Sequence, residues 1–154
     1  MACAGDAGAF TKWLSENGAS VSCSLVAGGG LTADKKLKEG EEACSIPTKI
    51  CMTEESALSA LGPKAADLDA ETQIALQLIY ERTKGASSSY APWLAMIPDR
   101  EGLGMPLFWS AAERKMLEGS AVLDDTEELV DALEDEFKQV TLCSTPCVVR
   151  PMYQ

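Results

Sequence analysis

The first third of the chain alternates short apolar runs with polar turns. Phe10, Trp13 and Leu14 recur at helical spacing, and the Asn17-Gly18 pair behind them favours the left-handed residue that ends a helix. The apolar runs that follow are three to six residues long and are separated by glycines or charged residues. Such spacing is typical of short strands joined in hairpins. The predicted strands cover residues 21–26, 31–33 and 43–46.

Helical patterns begin at Thr53. This threonine with acidic residues behind it predicts an N-cap, and the Gly62-Pro63 pair ends the helix after it. A longer helix is predicted over residues 69–84 and closes at Gly85. We expect its apolar stripe to pack in the core, and this stripe consists of Ile74, Ala75, Leu78 and Ile79.

Two further helices are predicted in the last third of the chain. Ser110 and Glu113 form a capping box that begins the first of them, and Gly119 ends it. The second is predicted after Asp125, with acidic residues on a solvated outer face. Its apolar side, which we also expect in the core, is formed by Leu129, Val130, Leu133 and Phe137.

The length of the chain indicates one globular domain, and its charge argues against nucleic-acid binding. A chain of 154 residues is long enough for one domain with a real core. The net charge is −11, and residues 113–138 hold ten acidic residues against three basic ones, a net charge of −7. Such a surface repels phosphate backbones, so we expect no nucleic-acid partner.

The beginning of the chain lacks the basic end and apolar run of a secretory signal. No apolar run approaches the length of about 18 residues that a membrane span needs, so no membrane partner is expected. The six cysteines then indicate reduced thiols in an intracellular protein, with cytoplasm, nucleus and plastid all open. Cys143 and Cys147 lack further ligands in a chain without histidine, so we predict no metal site. Cys44 and Cys51 are expected in the core.

Three adjacent glycines, Gly28, Gly29 and Gly30, lie between two predicted strands. A phosphate loop would need a lysine and a helix directly behind the glycines, and a dinucleotide fingerprint would need a helix and a third spaced glycine. The following residues, "LTADKKLKEGEE", indicate a strand, a turn and a strand instead. The glycines therefore form either a strained hairpin bend or a backbone left bare for a ligand.

The order and spacing of several motifs resemble one family over more than four fifths of the chain. These motifs are "FTKWLSENG", the glycines followed by Leu31, "SIPTKICMT", "ESALSALGP", "IALQLIYERTKG", "SSSYAPWLAMIP" and "PLFWSAAERKMLEGS". Together they resemble the SET-domain methyltransferases of the Rubisco large-subunit lysine methyltransferase class, which includes the actin-histidine methyltransferase. The resemblance implies an α+β fold, a partial SET domain of short strands and hairpins followed by a helical insert.

The resemblance also implies a domain division, a cofactor and a partner. Residues 1–9 would be a tail, 10–56 the early SET strands, 57–140 part of the helical insert, and 141–154 an unrelated tail. The cofactor would be S-adenosylmethionine, and the partner a protein methylated on lysine or histidine. A backbone without side chains lets such a ligand approach closely. The implied cofactor contacts are Ala27, Gly28, Gly29, Gly30 and Leu31.

The family's catalytic half has no counterpart in these residues. The family carries an Asn-His pair and a catalytic tyrosine, but this chain has no histidine, and Tyr80, Tyr90 and Tyr153 stand in other motifs. We therefore assign no catalytic residue and interpret the chain as a truncated, inactive portion of a methyltransferase. Open strand edges and uncovered apolar faces should then make it associate. The alternatives are a non-catalytic interaction module that uses the acidic helices, and an enzyme completed by another chain.

Overall fold

The structure is a computed structural model that describes residues 5–26 and 30–142. The chain divides into two compact units, Met1–Pro98 and Asp99–Gln154. The first holds short strands and helices, and the described part of the second is helical. This agrees with the predicted α+β class.

The described strands of the first unit form two antiparallel pairs. Strand β1 (Ser20–Val21) pairs with β4 (Cys44–Ser45), and β2 (Cys23–Val26) pairs with β3 (Gly30–Ala33). The predicted strand over residues 21–26 is therefore split between two small sheets. The split falls at Ser22, whose backbone N–H donates to the Ala43 carbonyl at 2.9 Å.

Helix α1 (Ala7–Glu16) begins earlier than its apolar spacing indicates and ends where it was predicted to end. Asp6 caps it by accepting a hydrogen bond from the Gly8 N–H at 2.8 Å, which satisfies one of the free amides at the helix start. At the other end Gly18 has a φ of 85°, a conformation that glycine adopts without strain. Leu14 is the residue of this helix that is buried.

Helices α2 (Glu54–Leu61) and α3 (Ala70–Lys84) pack against each other and begin within one residue of their predicted starts. Thr53 and Ser56 form a capping box. The Thr53 N–H donates to Ser56 Oγ at 2.8 Å, and the Ser56 N–H donates to Thr53 Oγ1 at 3.2 Å. Asp69 accepts from the N–H and the hydroxyl of Thr72, and the hydroxyl bond first and the amide bond second lower the pKa of the Asp69 carboxyl. These local signals fix both helix starts.

The buried face of α3 is mostly polar, so the predicted apolar stripe is wrong. Ala75 is exposed, and Ile74, Leu78 and Ile79 are half-buried. Hydropathy placed the core on the apolar side, whereas the polar side has partners in neighbouring segments that make its burial possible. The buried residues of α3 are Thr72, Gln73, Leu76, Gln77 and Glu81.

Each buried amide of α3 bonds to a different neighbouring segment. The Ser56 hydroxyl of α2 donates to Gln77 Oε1 at 2.9 Å, and Gln73 Nε2 donates to the Leu68 carbonyl at 2.7 Å. Ala57 and Ala65 beside them have no exposed surface. Small apolar residues thus let α2 and the 3-10 turn Pro63–Asp67 come close enough for these bonds to form.

Glu81 is the charged residue of this buried face. Its carboxylate accepts from Lys84 Nζ at 2.6 Å and from the Ser88 hydroxyl at 2.6 Å, and the Tyr90 N–H donates to the same hydroxyl at 3.0 Å. Burial raises the pKa of Glu81, but the hydrogen bonds from Lys84 and Ser88 outweigh that effect, and its pKa lies below the ordinary value. The network joins α3 to the 3-10 turn Gly85–Ser87 and to the segment that leads into helix α4 (Ala91–Leu94).

The described part of the Asp99–Gln154 unit contains three α-helices and a 3-10 turn. They are α5 (Arg100–Leu103), the turn Pro106–Phe108, α6 (Ala111–Lys115) and α7 (Ala121–Leu142). Ser110 and Glu113 form the predicted capping box, with a bond of 2.8 Å from the Ser110 N–H to the Glu113 carboxylate. Helix α6 is shorter than predicted, and Gly119 follows it with a φ of 85°.

Helix α7 departs from its prediction in two ways. It begins at Ala121 and not after Asp125, since the Ser120 hydroxyl accepts from the Val122 N–H at 3.3 Å and provides an earlier start. Leu129, Leu133 and Phe137, which were predicted to pack in the core, are exposed, and Val130 is half-buried. The neighbouring turn Pro106–Phe108 packs on α7 but is too short to cover a helix of 22 residues.

Among the described residues, no helix combines the length and the apolar character that crossing a membrane requires.

Candidate cofactor hairpin and the adjoining groove

The predicted cofactor contacts lie around the hairpin that joins β2 to β3. Val26 pairs with Gly30 at the end of this ladder, so three residues connect the strands. Those residues, Ala27, Gly28 and Gly29, lie outside the described residues, and their predicted contacts stay a prediction. Gly30 begins β3, and the Leu31 side chain beside it is 61% exposed.

Leu31 lines an open groove of about 400 Å³ in the Met1–Pro98 unit. Helix α1, the strands and the segment after β4 form the walls. Ile46, the first residue of that segment, is 42% exposed. A contiguous exposed apolar patch of this kind is unusual on a monomeric protein, and such patches mark binding or interaction surfaces. The groove is lined by Phe10, Thr11, Trp13, Leu14, Val21, Cys23, Leu31, Cys44, Ile46, Ile50, Cys51, Met52 and Trp93.

None of the described residues that line this groove is charged. Its chemistry suits apolar side chains or the flat face of an aromatic ring, which gain free energy by leaving water. The charged amino-acid end of S-adenosylmethionine needs hydrogen-bonding or ionic partners instead. The groove thus fits only the apolar part of that cofactor, and the backbone of residues 27–30 or groups beyond these 154 residues would have to meet the charged end.

Sequence reasoning identified Leu31 in this region and missed most of the other lining residues. Ile46, Ile50 and Met52 all fall within the motif "SIPTKICMT", and each lines the groove. Three large apolar side chains within seven residues were the available signal, although their spacings of four and two residues fit neither one helix nor one strand. Such a cluster indicates that these residues face something apolar, without telling which element covers them.

The prediction that Cys44 and Cys51 belong to the core is wrong. Both thiols are free and exposed, while the free thiol of Cys23 is half-buried, and all three residues line the groove. Small apolar residues at strand ends are buried only when another layer packs on them. In this structure nothing among the described residues covers that side of β4.

We expect Cys44 and Cys51 to react quickly with a maleimide in the folded chain at concentrations low enough for it to be monomeric. The physical reason is their exposure to solvent at the open groove. The measurement is mass spectrometry of peptides after a brief pulse of reagent, with Cys23 as the internal comparison because it is less exposed. Slow labelling of Cys44 and Cys51 that becomes fast only in denaturant would contradict an open groove.

The tyrosines that the structure describes serve packing. Tyr90 lies against Trp13, with ring centroids 6.3 Å apart, and against Trp93 at 6.3 Å. Burial first, and the nearby Glu81 carboxylate second, raise the pKa of the Tyr90 phenol, which keeps it protonated. The Tyr80 ring contacts Lys84 Nζ, 4.2 Å from its centroid. Tyr153 lies outside the described residues.

No group of three or more cysteine, aspartate or glutamate side chains is placed to hold a metal ion within the part of the chain that the structure describes. Cys143 and Cys147, the pair for which the sequence predicts no metal site, lie outside that part.

Several proteins of known activity are similar to this chain in sequence. The N-lysine methyltransferase setd6 of Xenopus tropicalis is 28% identical over 125 residues, which cover 73% of this chain and 26% of that protein. The [fructose-bisphosphate aldolase]-lysine N-methyltransferase, chloroplastic, of Arabidopsis thaliana is 31% identical over 136 residues, which cover 83% of this chain and 27% of that protein. No protein-family model matches the chain.

Solved structures with the same fold include two of Rubisco LSMT. The SET domain of LSMT bound to MeLysine and AdoHcy superposes with a TM-score of 0.77 at 23% identity, over 90% of this chain and 33% of that one. Rubisco LSMT bound to Sinefungin and Monomethyllysine gives a TM-score of 0.77 at 22% identity, over 95% and 34%. The chain thus spans about a quarter of the length of the curated relatives it matches and about a third of these solved chains.

Proposed function

We propose that this chain, a partial SET domain of the Rubisco large-subunit lysine methyltransferase class, supplies the cofactor hairpin of an S-adenosylmethionine-dependent protein methyltransferase. The two relatives described above are lysine methyltransferases by name, which favours lysine over histidine as the target. The observation that carries the proposal is the superposition on an LSMT SET domain that holds AdoHcy, together with a hairpin whose Leu31 is exposed beside an uncovered groove.

The division of the chain proposed from its sequence fits this role. Residues 10–56 would be the early SET strands that present the hairpin, and residues 57–140 would be part of the helical insert. Ala27, Gly28, Gly29, Gly30 and Leu31 would lie along the cofactor. When bound, S-adenosylmethionine would supply a methyl group activated by its sulfonium. These residues would hold and orient it through backbone groups.

We also propose that the 154 residues do not transfer a methyl group by themselves. Methyl transfer needs an aligned acceptor and donor in a site that excludes water, whereas the groove beside the hairpin is open. The chain contains no histidine for an Asn-His pair, and Tyr80 and Tyr90 are engaged in packing.

A hybrid protein tests the proposal. The matched quarter of the Arabidopsis aldolase methyltransferase would be replaced by this chain, and methyl transfer from labelled S-adenosylmethionine to aldolase would be measured beside the isolated chain. We expect transfer by the hybrid and none by the isolated chain. Gly29→Val should abolish cofactor binding by the hybrid in calorimetry, because a branched side chain would hold the cofactor off the backbone. The exposed Ala86→Val is the matched control.

The two parts of the proposal fail separately. A hybrid that folds cooperatively but gives no heat with S-adenosylmethionine would remove the cofactor role of the hairpin. Methyl transfer by the isolated chain would remove the claim of inactivity and leave the cofactor role intact.

A second function, a protein-interaction module, has one observation in its favour. The long helix α7 exposes aliphatic side chains in a row, and exposed apolar rows of this kind mark binding surfaces. This function does not require a cofactor, so both functions can reside in one chain.

A further inference from the structure

Helix α7 carries a row of exposed apolar residues along several turns. Leu129 is 40% exposed and Leu133 is 43% exposed, and Val122 lies two turns before Leu129 on the same side. Spacings of seven and four residues place these side chains in one line on a helix. We call this line the α7 stripe. It measures about 16 Å from Val122 to Leu133 at 1.5 Å per residue, enough for about three turns of a second helix.

A shallow groove deepens one end of the stripe. Its volume is about 450 Å³, and it lies within the Asp99–Gln154 unit, where the turn Pro106–Phe108 packs on α7. Apolar side chains form most of its lining, and two charged residues, Glu134 and Lys138, complete it. A concave apolar surface with charged residues at its border is the shape into which an amphipathic helix lays its apolar face.

The charge around the stripe selects the kind of helix that fits. Helix α7 holds eight acidic residues and one lysine, a net charge of −7, and that lysine, Lys138, is bonded to Asp135 at 2.9 Å. At 100° per residue Asp125 falls on one side of the stripe, and the buried Thr126 and the half-buried Val130 fall on the other. An approaching helix therefore meets an apolar centre with negative charge along its solvent-exposed flank.

From this arrangement we propose that α7 binds a basic amphipathic helix of a protein partner. Such a helix would place aliphatic side chains on Leu129 and Leu133, and lysines or arginines opposite the flanking acids, where complementary charge raises the association rate and fixes the orientation. The inference names the partner class for the interaction function proposed above, and it does not depend on the cofactor hairpin.

A second copy of the chain fits this surface poorly. Pairing two α7 helices along the stripe would bring two segments of net charge −7 together, and like charges at helix flanks destabilise such pairs. The same charges attract a basic helix. The apolar row alone would accept a second copy of the chain or a basic helix, and the charge of α7 favours the basic helix.

The test uses the whole chain and three labelled synthetic peptides of about five helical turns. The first has leucines in a stripe flanked by lysines, the second has glutamates in place of the lysines, and the third has the first peptide's residues in an order without a stripe. We expect fluorescence anisotropy to show binding of the first, at least about tenfold weaker binding of the other two, and weakening of the first by added salt.

Variants locate the contact on α7. Leu129→Gln with Leu133→Gln should weaken binding of the first peptide by about tenfold or more, because buried apolar area is lost from the centre of the contact. The exposed Ala112→Gln lies on helix α6, outside the stripe and its flanks, and should leave binding unchanged. Circular dichroism checks that every variant keeps α7 helical, which is expected because glutamine is a good helix former.

The possible outcomes separate the basic partner from the wider interaction function. Equal binding of the lysine and glutamate peptides would overturn the basic partner while leaving the interaction function standing. Absence of binding by all three peptides, or binding that ignores Leu129→Gln with Leu133→Gln, would overturn both. Self-association that the same variant abolishes would assign the stripe to a second copy and overturn the proposal.

Discussion

Replacing Glu81 by alanine is expected to lower the free energy of unfolding of the chain by about 2–3 kcal/mol. The carboxylate is buried and accepts hydrogen bonds from Lys84 and from the buried Ser88 hydroxyl. Its removal leaves that hydroxyl without an acceptor in a place that water does not reach. Urea unfolding followed by circular dichroism measures the loss.

Two other variants separate the network from the helix that carries it. Glu81→Gln keeps the size and one acceptor oxygen, so its loss should be smaller than that of alanine. Glu71→Ala changes an exposed glutamate of the first turn of α3 and should cost less than about 1 kcal/mol. Equal losses for Glu71→Ala and Glu81→Ala would show that the buried bonds contribute nothing.

The same carboxylate makes stability depend on pH in a defined direction. Because the pKa of Glu81 in the folded chain lies below its ordinary value, its ionisation stabilises the fold fully at pH values above the ordinary glutamate range. That contribution is lost as the pH falls through the lowered pKa of the folded state. The difference in unfolding free energy between the natural chain and Glu81→Gln should therefore shrink on acidification, and a difference that is constant from neutral to acid pH would contradict this.

The sequence predicts those parts of this fold that depend on neighbouring residues. The predicted caps Thr53 and Ser110 form in the structure because each cap needs only its own side chain and an amide three residues on. The helix end at Gly18 follows for the same reason, since it depends on one residue with a positive φ.

Predictions that depend on partners from distant segments failed. The core side of α3 is set by Ser56 and Ser88, which lie in other elements and bond to Gln77 and Glu81. Hydropathy assigns such residues to the surface because it includes the free-energy cost of burying a polar group but not the hydrogen bonds that offset this cost. The exposure of Cys44 likewise depends on which segment covers β4, a fact that no local pattern contains. The cofactor contacts at Ala27, Gly28 and Gly29 stay predictions.

The two exposed apolar surfaces of this chain differ in their charge, and this difference decides their behaviour. The α7 stripe lies on a helix with a net charge of −7, so two copies repel each other along it. The lining residues that the structure describes in the groove beside Leu31 are all uncharged, so two copies meet there without that penalty. We therefore expect self-association through the groove and binding of a basic partner through α7.

Leu31→Glu combined with Ile46→Glu is accordingly expected to convert an associating chain into a monomer. Both side chains are exposed in the groove, so charging them removes the apolar contact between copies with little effect on the fold. Analytical ultracentrifugation gives the oligomeric state. The fluorescence of a dye that binds apolar surfaces should fall several-fold in the same variant.

Met116→Glu is the control for the Leu31→Glu, Ile46→Glu variant, because Met116 is 78% exposed and does not line the groove. It removes an exposed apolar side chain and adds one negative charge where the double variant adds two, so a monomer produced by Met116→Glu alone would mean that net charge controls association. Salt separates the two surfaces further. Association through α7 would strengthen when salt screens its acidic residues, whereas association through an uncharged groove depends far less on screening. A natural chain that stays monomeric and whose Cys44 and Cys51 react slowly would show that the groove is closed in solution. The interpretation of the groove as a surface that another part of a SET domain covers would then be wrong.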